Sequence, residues 1–403
     1  MKQFDIPSIF RSPIISKVKA FRKAQDPRKK DFSPTVLNFG NVQLYIARHF
    51  GFCYGVENAI EIAYRAVEEN TGKRIFLLSQ MIHNPTVNED LTQHGIAFIQ
   101  DTSGKQLIPW DELNADDVVI IPAFGTTLEI EQKLKERGVS TEKYNTTCPF
   151  VEKVWNRAEK LGTDNHTLVI HGKHNHEETR ATFSHTAVNS EAVIVKNMEE
   201  ALFLAKCITG EASKEEFYRF FNGKHTPGFD PEIHLSRIGV INQTTMLASE
   251  TQEIAEFLKK VTEEFAGRTK ADKVVADTRD TLCYATNDNQ SATEALMNES
   301  LDFAIVVGGY NSSNTSHLVE LLEQRCPTYF IKDETEILET ETIRSFNIHT
   351  HETEIIGNWI KGTKIGITSG ASCPDAIMDQ IISKVLGLMN SQKSIEEVIG
   401  KLN

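Results

Sequence analysis

Three cysteines recur in near-equivalent settings about one domain-length apart, and thiols placed in that way can ligate a metal centre. Cys53 lies in VQLYIARHFGFCYGVENAIEIAYRAV, Cys148 in KYNTTCPFVEKVWNRAEKL and Cys283 in TRDTLCYATNDNQSATEALM. A short extended stretch delivers each one, and an apolar-periodic run that predicts a helix follows. A thiol at a helix N-terminus feels a positive field that favours thiolate. Zinc usually takes cysteine pairs two to four residues apart, and no such pair exists here. An iron–sulfur cluster accepts well-separated cysteines, and three ligands leave one iron open to a substrate oxygen. Cys207, Cys326 and Cys373 do not share the repeated position and read as packing residues.

The echo continues beyond each cysteine. His83 stands 30 residues after Cys53 in MIHNP, His176 stands 28 after Cys148 in GKHNHEET, and Asn314 stands 31 after Cys283 in YNSSN. Each follows a Val/Ile-rich run. A further apolar run then ends in a small, hydroxyl-rich tip: VVIIPAFGTT, IGVINQTT and IGITSGAS. With Ser312, Ser313 and Ser372, these loops supply donors suited to a phosphate or diphosphate, helped by backbone amides at helix starts. Neither a GxxxxGK[ST] nor a GxGxxG motif is present, so nucleotide binding has no support. Glu178, beside Glu177, is a candidate proton donor, because burial and nearby anions raise a carboxyl pKa. Thr244 and Thr245 could relay that proton or simply cap a helix. His171 and His174 read as structural.

A chain that repeats cysteine, helix, strand, polar loop, strand and tip three times predicts three similar α/β units around a shared centre. At 403 residues it exceeds one ordinary core. Residues 1–43 form an extension, and the repeats run over 44–148, 149–277 and 278–403. Insertions at about 208–235 and 331–362 read as surface elaborations. The first repeat's helix is expected from about Gly55 to Glu69. With 56 acidic and 43 basic residues the net charge is −13, which disfavours nucleic acid as a partner. No apolar run has the length of a membrane span, and six cysteines in so long a chain do not form a disulfide framework. The extension is basic, with nine Lys and Arg from Lys2 to Lys30 against Asp5 and Asp26. It reads as a segment that packs on the domain or meets an acidic partner. The alternative, a transit peptide, fits its composition less well.

The motifs GFCYGV, IHNP, TTCPFVEKV, HNHEET, NQTT, LCYAT, YNSSNTSHL and SGASCPD resemble, in order, those of the 4-hydroxy-3-methylbut-2-enyl diphosphate reductases, the terminal enzymes of the non-mevalonate isoprenoid pathway. The resemblance spans about 43–390. It implies a trefoil of three pseudo-equivalent parallel-sheet α/β domains around a central iron–sulfur cluster. It implies one [4Fe-4S] cluster per chain on Cys53, Cys148 and Cys283. It places His83, His176, Ser312, Ser313, Asn314 and Ser372 on the diphosphate, Glu178 as proton donor and Thr244 near the substrate hydroxyl. One motif departs: many members carry a histidine where this chain has Phe124, in PAFGTT. That form, the extension and the KEEFYRFFNGK insertion resemble the longer plant and cyanobacterial branch.

The resemblance further implies an electron-donor protein of ferredoxin or flavodoxin type, with no nucleic-acid or membrane partner. The expected location is the cytoplasm, or the plastid stroma if the first segment is a transit peptide. Two other classes fit part of the pattern. An iron–sulfur redox sensor would account for the cysteines but not the repeated polar loops. A metal-dependent phosphohydrolase would account for the loops but calls for carboxylate-rich metal spacing.

Overall fold

The computed structural model describes residues 4–266, 281–339 and 341–402. Lys2 and the expected repeat boundary near 277 lie outside them. The chain divides into two compact units. One holds the chain up to Glu61, Ile82–Asp90 and everything from Tyr284 on; the other holds Ile62–Met81 and Leu91–Cys283.

In chain order the first unit opens with α1 (Pro13–Gln25), β1 (Thr35–Asn38) and β2 (Gln43–Ile46). Helix α2 (Tyr54–Glu69) leads to β3 (Ile75–Leu77), α3 (Pro85–Gln93), β4 (Ile96–Phe98), β5 (Val118–Ile120) and α4 (Leu128–Glu136). The second unit continues with α5 (Pro149–Thr163), β6 (Thr167–His171), α6 (Glu177–Thr186), β7 (Ala192–Val195) and α7 (Met198–Thr209). It ends with α8 (Lys214–Phe220), α9 (Pro231–His234), β8 (Ile238–Asn242) and α10 (Ala248–Ala266). The first unit resumes with α11 (Tyr284–Met297), β9 (Phe303–Val307), α12 (Ser313–Leu322) and β10 (Thr328–Ile331). It closes with β11 (Ile337–Glu339), β12 (Thr342–Asn347), β13 (Glu352–Gly357), β14 (Lys364–Ser369), α13 (Asp375–Leu388) and α14 (Ile395–Ile399).

The repetition read from the cysteines reappears as strand order. Two sheets run β4-β3-β5 and β7-β6-β8, and the third contains β14-β9-β10. All of these pairings are parallel. In each sheet the earliest of the three strands is central, the next lies to one side and the last to the other. Continuous apolar runs such as VVI, TLVIH and FAIVV suit strands covered on both faces. This order reverses direction between the central and last strands, and open α/β sheets leave a ligand crevice beyond the strand ends at such a point.

The segments that deliver the cysteines add to the last strand of the preceding sheet. β2 pairs in parallel with β14, and Cys53 N–H donates to Ala371 O at 3.2 Å. Asn145 bridges Ile121 in parallel, and Cys148 N–H donates to Ala123 O at 3.0 Å. Ahead of Cys283, the Thr281 hydroxyl donates to Asn242 Oδ1 at the end of β8. So the strand leading to Cys53 lies in the third repeat's sheet, a placement that spacing along the chain does not show.

The extension packs on the first unit. Ser12 caps α1 by accepting Ile15 N–H, Pro13 supplies a preset φ, and Ile15 and Val18 are fully buried in the core with α13. Asp379 accepts from Ile14 and Ile15 N–H, and Lys19 pairs with Asp375 at 2.7 Å. The two insertions are more than surface elaborations. Phe217, Phe221 and Phe229 are buried in the core beneath α7, and Ile337, Ile343 and Trp359 are buried in the first unit. Phe217 and Phe221 stand four residues apart and share one helical face, which accounts for their burial. Replacing Ile15 with Ala removes a fully buried side chain and should cost about 2–5 kcal/mol in urea unfolding. An unchanged midpoint would show α1 to be a passive appendage.

Candidate functional site

In the second unit, the loops after β6 and β8 face each other across the crevice. His176 caps α6, its Nδ1 accepting Glu178 N–H at 3.1 Å. That bond leaves the ring proton on Nε2, which makes Nε2 the donor. The Glu178 carboxyl is buried, and Thr244 grips it from the β8 tip: Thr244 N–H donates to Oε1 at 2.5 Å and Thr244 Oγ1–H to Oε2 at 2.9 Å. Burial pushes the Glu178 pKa up to about 7, against the pull of the two Thr244 donors.

Cys148 caps α5, with Pro149 as the first helical residue. Burial raises the Cys148 thiol pKa to about 12, opposed by the N–H groups of Phe150 and Val151 and reinforced by the nearby Cys283 and Glu178. Cys148 therefore lies within electrostatic reach of both Cys283 and Glu178. A half-buried thiol held this high becomes a thiolate only against a compensating cation, the kind of charge that a metal centre supplies. Phe124, at the β5 tip, packs edge-to-face on His176 with centroids 5.6 Å apart at 85°. The tip turns at Gly125, whose φ of +74° suits glycine and where a Cβ would come within 2.5 Å of Trp155.

In the first unit, Ser312, Ser313 and Asn314 open α12 at the end of β9 and are buried. Ser312 Oγ accepts Thr315 N–H, while Asn314 Oδ1 accepts Ala371 N–H at 3.1 Å from the β14 tip. Asn314 Nδ2 is buried with no hydrogen-bond partner among the described residues. An orphaned buried donor at a helix N-terminus suits an anion. Ser372 Oγ–H donates to His83 O at 3.2 Å, and a Cβ on Gly309 would collide with that same carbonyl. The bond from Cys53 N–H to Ala371 O brings Cys53 into this group. The structure thus gathers Cys53, His83, Ser312, Ser313, Asn314 and Ser372 in one unit, and Cys148, Cys283, His176, Glu178 and Thr244 in the other.

Several site residues escape sequence reasoning. Gln243 Oε1 accepts from Thr179 Oγ1 and Lys173 N–H, while its Nε2 donates to Thr245 Oγ1, tying the two loops of the crevice together. Glu177 is buried and accepts from Ser79 Oγ. The only advance signal for Gln243 is its place directly after an apolar strand. Cys207 and Cys373 are buried in cores and Cys326 packs beside one. His171 is buried, its Nδ1 meeting Thr251 Oγ1 at 2.8 Å. Among the described residues no helix is long and apolar enough to cross a membrane.

The fold and its loops define a three-fold repeated α/β protein with helix-heading cysteines and anion-type loops. The LytB protein family matches residues 44–386, and the chain belongs to that family, which makes it an enzyme. The 4-hydroxy-3-methylbut-2-enyl diphosphate reductase of Microcystis aeruginosa is 38% identical over 359 residues, covering 88% of this chain and 87% of that protein. The protein of the same name from Synechocystis is 37% identical, covering 89% and 93%. The solved E-1-hydroxy-2-methyl-but-2-enyl-4-diphosphate reductase of Plasmodium falciparum shares the fold, with a TM-score of 0.62 at 20% identity over 86% of this chain and 88% of that one.

The carboxyl of Glu178 makes stability depend on pH. Its folded pKa of about 7 lies above the unfolded value of roughly 4.3, so the native state holds this proton more tightly than the unfolded chain. The resulting stability is full below the unfolded value and is lost as pH rises through 7. Relative to Glu178→Gln, the unsubstituted iron-free protein should lose about 3 kcal/mol between pH 4 and 8. Parallel urea curves at all pH values would refute the shift.

Proposed function

We propose that the chain reductively dehydroxylates 4-hydroxy-3-methylbut-2-enyl diphosphate to isopentenyl and dimethylallyl diphosphates, consuming two electrons and two protons and releasing water. The observation that supports this reading is a buried, protonatable carboxyl within electrostatic reach of the Cys148 thiol, which in turn feels Cys283. Cys53, Cys148 and Cys283 would hold a [4Fe-4S] cluster, one per chain. When bound, that group supplies single electrons and a Lewis-acidic iron for the allylic oxygen.

The chain's own residues do the rest. His83, His176, Ser312, Ser313, Asn314 and Ser372 bind and orient the diphosphate, with the Nε2–H of His176 and the Nδ2 of Asn314 as donors. Glu178 stores the departing oxygen's proton. Its Oε1 is occupied by the Thr244 N–H, which cannot accept, so the proton sits on Oε2. In that state the 2.9 Å bond runs from Oε2–H to Thr244 Oγ1, and the threonine's own proton turns outward to the substrate hydroxyl. A pKa near 7 suits a group that must give and regain a proton at neutral pH. Phe124 has no donor and walls the pocket beside His176.

Iron and sulfide analysis of anaerobically purified protein tests the assignment. Serine at Cys53, Cys148 or Cys283 should deplete iron, while serine at Cys207, Cys326 or Cys373 should leave it in place; equal loss from both sets would show the wrong thiols were chosen. Glu178→Gln should retain iron and bind the diphosphate near normally, with turnover lowered about 10²–10⁴-fold. Turnover near that of the unsubstituted enzyme would remove Glu178 from the proton path. Phe124→Leu should change KM by only about 2–5-fold, since hydrophobic packing differences are worth about 1 kcal/mol or less here. A loss matching that of His176→Ala would give Phe124 a direct positioning role.

A further inference from the structure

The N-terminal segment has two faces of different chemistry. Inward, its aromatics lie on the residues that bracket Cys53. Phe10 meets Phe52 edge-on at 5.9 Å, and Phe4 meets Tyr54 edge-on at 4.9 Å. The Lys19 ammonium sits 4.8 Å over the Phe50 ring, and its ion pair with Asp375 closes over Gly51, where a Cβ would come within 3.0 Å of Nζ. Residues 4–19 therefore line the loop from Phe50 to Tyr54.

Outward, Lys17, Lys23, Arg28, Lys29 and Lys30 are exposed, and none forms an ion pair among the described residues. The segment's acids are turned to internal use. Asp26 accepts Asp31 N–H and lies 3.9 Å from Arg48, while Asp31 pairs with Arg22 at 2.9 Å. Five unneutralised cations within fourteen residues invert the local sign on a chain of net charge −13.

We propose that this segment is the docking surface for a small acidic one-electron carrier protein, which delivers electrons beside Cys53. The inference rests on the reductive reading above and adds where the partner binds. The chain has no nucleotide-binding signature, so its electrons come from another molecule. Two carriers in succession each lose one electron and leave oxidised, which supplies the two electrons of the reaction. Redox encounters use small interfaces steered by complementary charge, and the remaining acidic surface repels polyanions such as nucleic acid. Lys19 stands on the same helix as Lys17 and Lys23 and lies over Phe50, so the charged face adjoins the Cys53 loop, which a remote basic patch would not do.

The test uses a variant that alters only the outward face, Lys17→Glu, Lys23→Glu, Lys29→Glu and Lys30→Glu together, with a Lys→Gln version as a milder second arm. Anaerobic stopped-flow follows oxidation of a reduced, acidic plant-type ferredoxin by the iron-loaded enzymes, with reduced methyl viologen as a small donor. The second-order rate with ferredoxin should fall at least about 10-fold in the Glu variant and less in the Gln variant. Added salt should slow the unsubstituted enzyme and not the Glu variant. Viologen rates and iron content should be unchanged. An unaltered ferredoxin rate with iron in place overturns the proposal, as does an equal loss with viologen. Absence of iron from the unsubstituted protein would overturn the reductive reading instead. Carbodiimide cross-linking of ferredoxin to the iron-free chains would then decide the docking by itself: loss of the cross-link in the Glu variant supports it and retention refutes it.

Discussion

The hydrogen bond from a cysteine's N–H to the carbonyl of a strand tip is the constraint on which the site depends. Cys148 makes it to Ala123 and Cys53 makes it to Ala371. It fixes each thiol at the point where a sheet ends and a helix begins. A helix cannot satisfy its own first N–H groups, so its start is where a side chain or ligand can be held by otherwise unpaired donors. Cys148 occupies that position as the cap of α5, and Ser312 occupies it on α12. The same strand-end geometry thus places both the cysteines and the side chains proposed to hold the diphosphate.

Around this constraint, burial sets the chemistry. Glu178 would be an ordinary surface acid if the crevice were open to water, and Cys148 an ordinary thiol. Enclosed, both hold their protons, and the two Thr244 donors moderate the carboxyl enough to keep it near neutrality. Gln243 then keeps the two sides of the crevice together, so Thr244 stays within reach of the carboxyl. Phe124 adds an apolar, half-buried ring to the same crevice, packed edge-to-face on His176.

Much of this was legible in the sequence because the repeat is local. Each cysteine, its helix and its polar loop lie within about thirty residues, and the expected helix from Gly55 to Glu69 differs from α2 by one residue. Strand order was not legible, because it depends on partners far apart in the chain. The stretch before Cys148 reads as extended, but nothing local says that Asn145 lies beside Ile121. Gln243 is hidden because QTT also reads as a helix cap, and its side chain's three hydrogen bonds need the fold. The aromatic contacts of Phe4 and Phe10 join residues about fifty positions apart, and no local pattern announces them. The insertions read as surface because one carries Gly/Pro turns and the other is acidic, while a few buried apolar side chains decide where they pack.

The pairing of β2 with β14 has a consequence for the order in which the protein is made. Gln43 and its partner Lys364 are separated by 321 residues, so β2 leaves the ribosome with only the short β1 to pair with. At synthesis rates of about 5–20 residues per second, it waits roughly 15–60 s for β14 to emerge. The sheet contacts around Cys148 lie within residues 75–148 and are complete long before then. The first cysteine translated is therefore the last whose supporting strand is in place, and nascent chains pass through a stage with an unpaired strand edge, during which chaperone cover has most to protect.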